Sequence, residues 1–99
     1  MPPITGGNLD QEVALAFGRA LRAVRINARL TQEEVGLRAN VQRKHVSSLE
    51  LGHKVPNLAT AFSLASALEI EPAKLIRRTE EELAKIYRAQ TTEPSKNTR

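Results

Sequence analysis

The chain lacks several residue types, and each shortage excludes a class of protein. It has no cysteine, which excludes a disulfide scaffold and any thiolate metal site and is typical of a reducing compartment. Only Phe17, Phe62 and Tyr87 are aromatic, so a core must be built mainly from Leu, Val, Ile and Ala. No apolar run approaches the roughly 20 residues of a membrane-spanning helix, and "MPPITGGNLD" lacks the basic-then-apolar order of a signal peptide. We therefore expect one compact cytoplasmic domain that does not contact membranes.

Positive charge is concentrated in the middle of the chain. The net charge is +4, and eight of the 15 Lys and Arg residues lie in residues 19–54, against three of the 11 acids. Such a stretch is typical of a surface that binds a phosphate polyanion. It is equally typical of a basic surface that keeps a protein soluble, and charge alone leaves both interpretations open.

The spacing of apolar residues predicts helices and no strands. Residues 1–9 contain two prolines and two glycines and predict a flexible arm. Asp10 can cap a first helix that ends near Ala28. Its apolar stripe recurs at spacings of three and four: Val13, Phe17, Leu21 and Val24.

Residues 31–52 read "TQEEVGLRANVQRKHVSSLELG" and predict two short helices joined by a tight turn. Thr31 and Glu34 form a capping box that starts the first of these helices. Gly36 costs about 1 kcal/mol relative to Ala inside a helix, which indicates close contact with another backbone. Asn40 tolerates the left-handed conformation, so it can end this helix and turn the chain. The second short helix then spans residues 43–51.

The remaining sequence predicts two or three more helices. Asn57 can cap a fourth helix, and Pro72 suits the first position of a fifth. Thr79 and Glu82 form a second capping-box pattern, so residues 80–90 are either a separate helix or a continuation of the fifth. Residues 91–99 are polar and predict a disordered tail.

Residues 79–90 carry apolar side chains that need a partner surface. Leu83, Ile86 and Tyr87 follow a helical spacing, and they form either a dimer interface or a face that folds back onto the chain's own core. We take residues 79–90 as the candidate dimerisation element, with Leu83, Ile86 and Tyr87 as the interface.

The residues around the predicted turn form a known pattern. They are Val35, Gly36, Ala39, Asn40, Val41, Val46, Ser47, Leu49, Glu50, Gly52 and Pro56. This pattern resembles the helix-turn-helix domains of the phage repressor and Cro type, the XRE family, over roughly residues 17–76. The family usually has Gly where Asn40 stands and Ser, Thr or Asp where Gln42 stands. The resemblance implies an all-α, five-helix repressor-like domain in residues 10–78, with an extra C-terminal helix as an option.

The resemblance also implies how the domain binds double-stranded DNA. The second helix of the pair enters the major groove, where its first turn meets base edges. The implied base contacts are Arg43, Lys44 and Ser48, and Ser47, one turn beyond Arg43, can also reach a base or a phosphate. The resemblance implies Gln32 as a contact to the DNA backbone, and we expect Thr31, His53 and Lys54 to contact the backbone as well. The alternative is that Arg43 and Lys44 are ordinary solvated residues.

Arg25 and Glu50 occupy two further positions of the family pattern. The family pairs an Arg on the first helix with a Glu at the end of the reading helix. We interpret the two as a partly buried structural ion pair. The rival interpretation makes Arg25 a phosphate contact.

The sequence offers little for catalysis or metal binding. His45 and His53 have no nearby third ligand, and no carboxylate is placed to orient His45 beside Ser48. No glycine-rich phosphate loop occurs. We therefore expect no enzyme activity, no metal and no cofactor.

Two functions from different classes remain. The first is a sequence-specific transcription regulator, a homodimer that reads a palindromic operator and is nucleoid-associated when bound. The second is an antitoxin-type module that neutralises a protein partner and binds DNA secondarily. RNA binding is disfavoured because the helix needs a wide major groove and few aromatic residues can stack on bases.

Overall fold

Five helices make up the part of the chain that the structure describes. The computed structural model describes residues 8–96, with the side chains of residues 8–90. The helices are α1 (Leu9–Asn27), α2 (Gln32–Ala39), α3 (Arg43–Glu50), α4 (Leu58–Ala67) and α5 (Pro72–Lys96). This arrangement confirms the predicted all-α fold. None of the described helices has the length and apolar character needed to cross a membrane. The predicted flexible arm falls on residues 1–7, which lie outside the described residues, and on Asn8 and Leu9, at the start of α1.

Most helix starts follow the predicted caps. Asn57 caps α4 by accepting a hydrogen bond from the Thr60 backbone N–H at 2.7 Å, and Pro72 opens α5. The cap of α1 is Asn8, whose side-chain oxygen accepts from the Gln11 N–H at 3.1 Å. The prediction of Asp10 as this cap is therefore wrong by two residues. Asp10 lies inside the first turn of α1, where its negative charge is favourable near the helix N-terminus.

The C-terminal segment is one long helix without a break at Thr79. The Thr79 hydroxyl donates to the Leu75 carbonyl, one turn earlier, at 2.9 Å, and the residue is buried. Thr79 thus lies in the helix interior, and the second capping box is wrong. The predicted helix of residues 79–90 is a continuation of α5. The backbone stays helical to Lys96, so the disordered tail is wrong for residues 91–96, and residues 97–99 lie outside the described part.

The main core lies where α1 to α4 meet the start of α5. Its most completely buried large side chains are Leu21, Val35, Val46, Leu49, Leu64 and Leu75. These are aliphatic residues from all five helices, as the scarcity of aromatic residues requires. Each short helix therefore has its position fixed by this core.

A second cluster joins α5 to α1. Leu83, Ile86 and Tyr87 pack with Ala16 and Val13, and their exposed fractions are only 3%, 8% and 6%. Their assignment to a dimer interface is wrong, because the chain's own α1 already covers them. The sequence left this fold-back alternative open, since helical spacing shows an apolar face without showing what covers it.

Candidate nucleic-acid interface

The turn between α2 and α3 is held in one conformation. Asn40 has φ 59° and ψ 45°, the left-handed conformation that was predicted. The Val41 N–H then donates to the Gly36 carbonyl at 2.8 Å, which closes the turn. A Cβ on Gly36 would lie 2.5 Å from the Val41 carbonyl oxygen. The predicted close backbone contact of Gly36 is confirmed, and its partner is the turn itself.

The predicted capping box fixes the start of α2. The Thr31 hydroxyl oxygen accepts from the Glu34 N–H at 3.0 Å, and the Glu34 carboxylate accepts from the Thr31 N–H at 2.8 Å. Both bonds use groups that an α-helix otherwise leaves unpaired at its first turn. The start of α2 is therefore as well defined as its end.

Close contact with α1 fixes the far end of α3. A Cβ on Gly18 would lie 2.6 Å from the Glu50 carbonyl oxygen and closer still to that of Leu49. Only a glycine allows the α1 backbone to approach the end of α3 so closely. Gly18 was missed from the sequence, although a glycine inside a helical apolar pattern is a signal of close backbone contact.

The predicted base-contacting side chains share the outward face of α3. Val46 and Leu49 are fully buried, whereas Arg43 and Lys44 are exposed. With about 100° between successive residues of a helix, Lys44 points away from the core. Ser47 and Ser48 lie one turn later and are half-buried. The four residues thus form one surface, which we call the reading face: Arg43, Lys44, Ser47 and Ser48.

Gln42 sits at the N-cap of α3 without capping it. Its side chain is exposed and makes no hydrogen bond to the first turn of the helix. From the sequence, Gln42 was noted only as a departure from the family pattern. In the structure its amide group is available next to Arg43, and a glutamine amide can bond the N6 and N7 atoms of adenine.

The structure confirms the ion pair between Arg25 and Glu50. Arg25 Nε donates to Glu50 Oε2 at 2.5 Å, and Arg25 Nη2 donates to Glu50 Oε1 at 3.0 Å. The two side chains are 13% and 3% exposed. The hydrogen bond to Glu50 raises the pKa of the Arg25 guanidinium, while burial acts in the opposite direction. This two-point contact ties the last residue of α3 to α1.

Two further hydrogen bonds extend this cluster to the start of α2. Arg25 Nη1 donates to the Leu30 carbonyl at 2.9 Å, and Gln32 Nε2 donates to Glu50 Oε1 at 3.0 Å. Sequence reasoning missed the bond from Gln32 to Glu50, because two residues 18 positions apart carry no local signal of contact. That Gln32 contacts the DNA backbone stays a prediction. Its hydrogen bond to Glu50 fixes the orientation of its side chain.

Other polar contacts hold α2 against α4. Arg38 Nη1 donates to the Ala67 carbonyl at 3.3 Å, and it lies 4.0 Å from Glu69 Oε2. The Ser63 hydroxyl donates to the Ala39 carbonyl at 2.7 Å. Arg38 is one of the basic residues of the stretch 19–54, but its guanidinium contacts the end of α4.

His53 and Lys54 follow α3 and are exposed. They line a groove of about 290 Å³ with Asp10 and Gln11 of α1. The eight residues of α3 span about 12 Å by helical rise, and His53 and Lys54 follow its C-terminal end, opposite Arg43. Within the described residues, no group of three or more His, Asp or Glu side chains is arranged to hold a metal ion.

A short basic helix fixed on a helical core after a left-handed turn defines a helix-turn-helix DNA-binding domain. The sequence model described as "Helix-turn-helix" matches residues 21–75, which is more than half of the chain. The chain belongs to this helix-turn-helix family and is of the XRE type, as its sequence pattern indicated.

The chain is similar to several regulators. It is 40% identical to the uncharacterized HTH-type transcriptional regulator y4dJ of Sinorhizobium fredii over 52 residues, which are 52% of this chain and 68% of the relative. The crystal structure of the restriction-modification controller protein C.AhdI from Aeromonas hydrophila is 34% identical, with a TM-score of 0.61, and covers 63% of this chain and 94% of that one. The clp gene regulator ClgR from Corynebacterium glutamicum is 27% identical, with a TM-score of 0.72, over 79% and 82% of the two chains. The protein is a transcription regulator with a helix-turn-helix DNA-binding fold.

Proposed function

We propose that the protein regulates transcription by binding an inverted repeat in double-stranded DNA as a homodimer, with α3 of each subunit in the major groove. The observation that carries this proposal is the reading face. Its side chains point away from the core, while Val46 and Leu49 anchor the same helix. Arg43 suits the O6 and N7 atoms of guanine, and the serines suit any base edge with a free donor or acceptor.

Contacts to the DNA backbone place the reading face in register. Gln32 and Thr31 lie at the start of α2, where the helix dipole attracts a phosphate. Gln32 is bonded to Glu50, the last residue of α3, so a phosphate held there is at a fixed distance from the reading face. His53 and Lys54 supply the corresponding contacts beyond the other end of α3.

Dimerisation follows from the small size of one reading helix. A helix of eight residues covers only a few base pairs, which is rarely enough to select one operator in a genome. A symmetric dimer presents two such helices about 34 Å apart, one turn of DNA. The expected site is therefore an inverted repeat with half-sites one helical turn apart.

Selection of bound sequences from a random duplex library tests this proposal. The wild-type protein should select an inverted repeat. Arg43→Ala should weaken binding to that repeat by about 1–3 kcal/mol and relax base preference at one position of each half-site. Lys74→Ala, on the exposed side of α5, is the matched control and should leave the selected sequence unchanged. If Arg43→Ala selects the same sequence with the same affinity, α3 is not the reading helix.

A further inference from the structure

Leu51 is a large apolar side chain that is open to water at the end of α3. It is 61% exposed and joins neither of the two apolar clusters of the core. Among the exposed large apolar residues that the structure describes, it is the one that directly follows the reading helix. An exposed leucine is ordinary on a protein surface, so the direction of this side chain decides what it can contact.

The side chain of Leu51 keeps the helical register of α3. Leu51 is the C-cap residue, with φ −81° and ψ −4° in the right-handed helical region. Its N–H donates to the Ser47 carbonyl at 3.0 Å, which is the bond that an α-helix makes between residues four apart. The chain leaves the helical conformation at Gly52, whose φ is 78°. Leu51 therefore points where the next residue of α3 would point.

This direction places Leu51 in the middle of the outward side of α3. Because successive residues of a helix are about 100° apart, Leu51 lies within about 20° of Lys44 and about 40° of Ser47 around the helix axis. The residues before it, Leu49 and Glu50, are buried. Lys44, Ser47 and Leu51 thus form one row, at the spacing of three and four residues that lines one side of a helix. Leu51 extends the reading face by a further turn, with a side chain that has no polar atom.

A leucine in this place suits few groups of DNA. A phosphate or a polar base edge in contact with Leu51 would lose water without gaining a hydrogen bond, which is unfavourable. Among the groups that base pairs present in the major groove, the C5-methyl group of thymine is the one that is apolar. Contact between this methyl group and an exposed leucine removes apolar surface of both from water, which is favourable.

We propose that Leu51 is a specificity-determining residue that contacts the C5-methyl group of a thymine at the far end of each half-site. This inference rests on the proposed function, in which α3 lies in the major groove. Leu51 follows Arg43 by about 12 Å of helical rise, which corresponds to about three or four base pairs at about 3.4 Å each. The thymine, on either strand, therefore lies at that separation from the base that Arg43 reads.

Replacing thymine by deoxyuridine tests the contact without changing the protein. Deoxyuridine lacks the methyl group and keeps every hydrogen-bonding group of the base. The duplex that the random library selects is synthesised with each thymine of one half-site replaced in turn. At the position about three or four base pairs from the Arg43 base, the replacement should weaken binding of the wild type about fourfold. This factor corresponds to the roughly 0.8 kcal/mol that burial of one CH₂-sized group contributes.

The variant Leu51→Ala should remove that fourfold penalty and bind the thymine and deoxyuridine duplexes equally. Its urea midpoint should match that of the wild type, since Leu51 joins neither apolar cluster. Leu37→Ala is the matched control, because it removes from α2 a leucine that is 77% exposed. It should keep the penalty at the same position.

A methyl group on a different base gives a second test. Cytosine is placed at the same position of the duplex, with and without a methyl group on its C5 atom. The wild type should bind the 5-methylcytosine duplex about fourfold more tightly than the cytosine duplex. Leu51→Ala should bind the two duplexes equally. Because both bases have the same hydrogen-bonding groups, this comparison isolates the methyl group.

The remaining outcomes separate this inference from the proposed function. A selected sequence without a methyl-dependent thymine at that position would overturn the role of Leu51 and leave DNA reading by α3 intact. A penalty that persists in Leu51→Ala would assign the methyl contact to another residue, which also overturns it. An affinity loss in Leu51→Ala that is equal for both bases would make Leu51 a contact to the DNA backbone instead, against the proposal. A wild type that selects no sequence would remove the proposed function and this inference together.

Discussion

Removing Arg25 should destabilise the protein more than removing Glu50. Arg25→Met leaves the Glu50 carboxylate only 3% exposed, with Gln32 as its remaining donor. Breaking a buried ion pair from one side costs about 3–5 kcal/mol. We expect a value near the lower end, because the hydrogen bond from Gln32 persists.

Glu50→Leu leaves the Arg25 guanidinium, rather than a carboxylate, without its charged partner. The Arg25 side chain is 13% exposed and keeps its hydrogen bond to the Leu30 carbonyl. Glu50→Leu also removes the acceptor of Gln32 Nε2, but the Arg25 guanidinium can reach water at its edge, so we expect a loss of about 1–3 kcal/mol, the range for buried donors left without an acceptor. The order of the two losses follows from the difference in burial.

The double variant Arg25→Met, Glu50→Leu should be more stable than the sum of the single losses predicts. Removing both charges together leaves no unpaired ion, so the coupling between the two positions should be about 0.5–3 kcal/mol. Urea unfolding followed by circular dichroism measures all three free energies. Arg22→Met, on the exposed side of α1, is the matched control and should change stability by less than about 0.5 kcal/mol.

Two results would refute this reasoning. Strictly additive losses would show that the contact between Arg25 and Glu50 does not stabilise the fold. The salt dependence of DNA binding gives the second test. If Arg25 binds a phosphate, the plot of log K for DNA binding against log salt concentration should become less steep in the double variant, with the magnitude of its negative slope reduced by about 1. If the pair only positions α3, that slope should stay unchanged.

Three further predictions follow from other contacts. Gly36→Ala should destabilise the protein despite the better helix propensity of Ala, since its Cβ would meet the Val41 carbonyl at 2.5 Å; a urea midpoint at or above that of the wild type would contradict this. Leu83→Asp should detach the C-terminal half of α5 from α1 and unfold it, because it places a carboxylate in the cluster that joins the two helices. Circular dichroism should show lost helix content and hydrogen exchange should be faster, rather than the variant giving a folded monomer. Burial raises the pKa of the Tyr87 hydroxyl, and the Glu12 carboxylate raises it further. Because the unfolded chain ionises first, stability should hold below pH about 10 and decline above it, less so in Tyr87→Phe. Tyrosinate absorbance reports this ionisation cleanly, since the chain has one tyrosine.

Features that depend on neighbouring residues were predictable from the sequence. The capping box of Thr31, the left-handed turn at Asn40 and the start of α5 at Pro72 each involve atoms within a few residues of one another. Thr79 shows the limit of such patterns. The same T-x-x-E spacing occurs there inside a continuous helix, because Thr79 can bond the carbonyl of the preceding turn instead of capping a new helix.

Features that depend on the partner of a surface were not predictable. The spacing of Leu83, Ile86 and Tyr87 showed an apolar face, but the same spacing serves an interface between chains and contact with α1. Phe62 and Ile76 are apolar but about half exposed, and no local sequence pattern indicated this. The three-dimensional packing shows that α1 covers Leu83, Ile86 and Tyr87. It also shows that Phe62 and Ile76 are exposed to solvent.

The position of Glu50 indicates why α3 is held by charge rather than by apolar contacts alone. A carboxylate in the last turn of a helix is unfavourable, because the C-terminal end already carries partial negative charge. Donors from Arg25 and Gln32, on two other helices, offset this and set the direction of the carboxylate. Val46 and Leu49 hold α3 in the core and limit its rotation, and the hydrogen bonds of the Glu50 carboxylate add a directional restraint that apolar contact lacks. Base readout needs a fixed rotation, because a side chain displaced by about 1 Å no longer meets both acceptors of a guanine. Under the proposed function, the Glu50 cluster therefore contributes the orientation that reading DNA requires as well as stability.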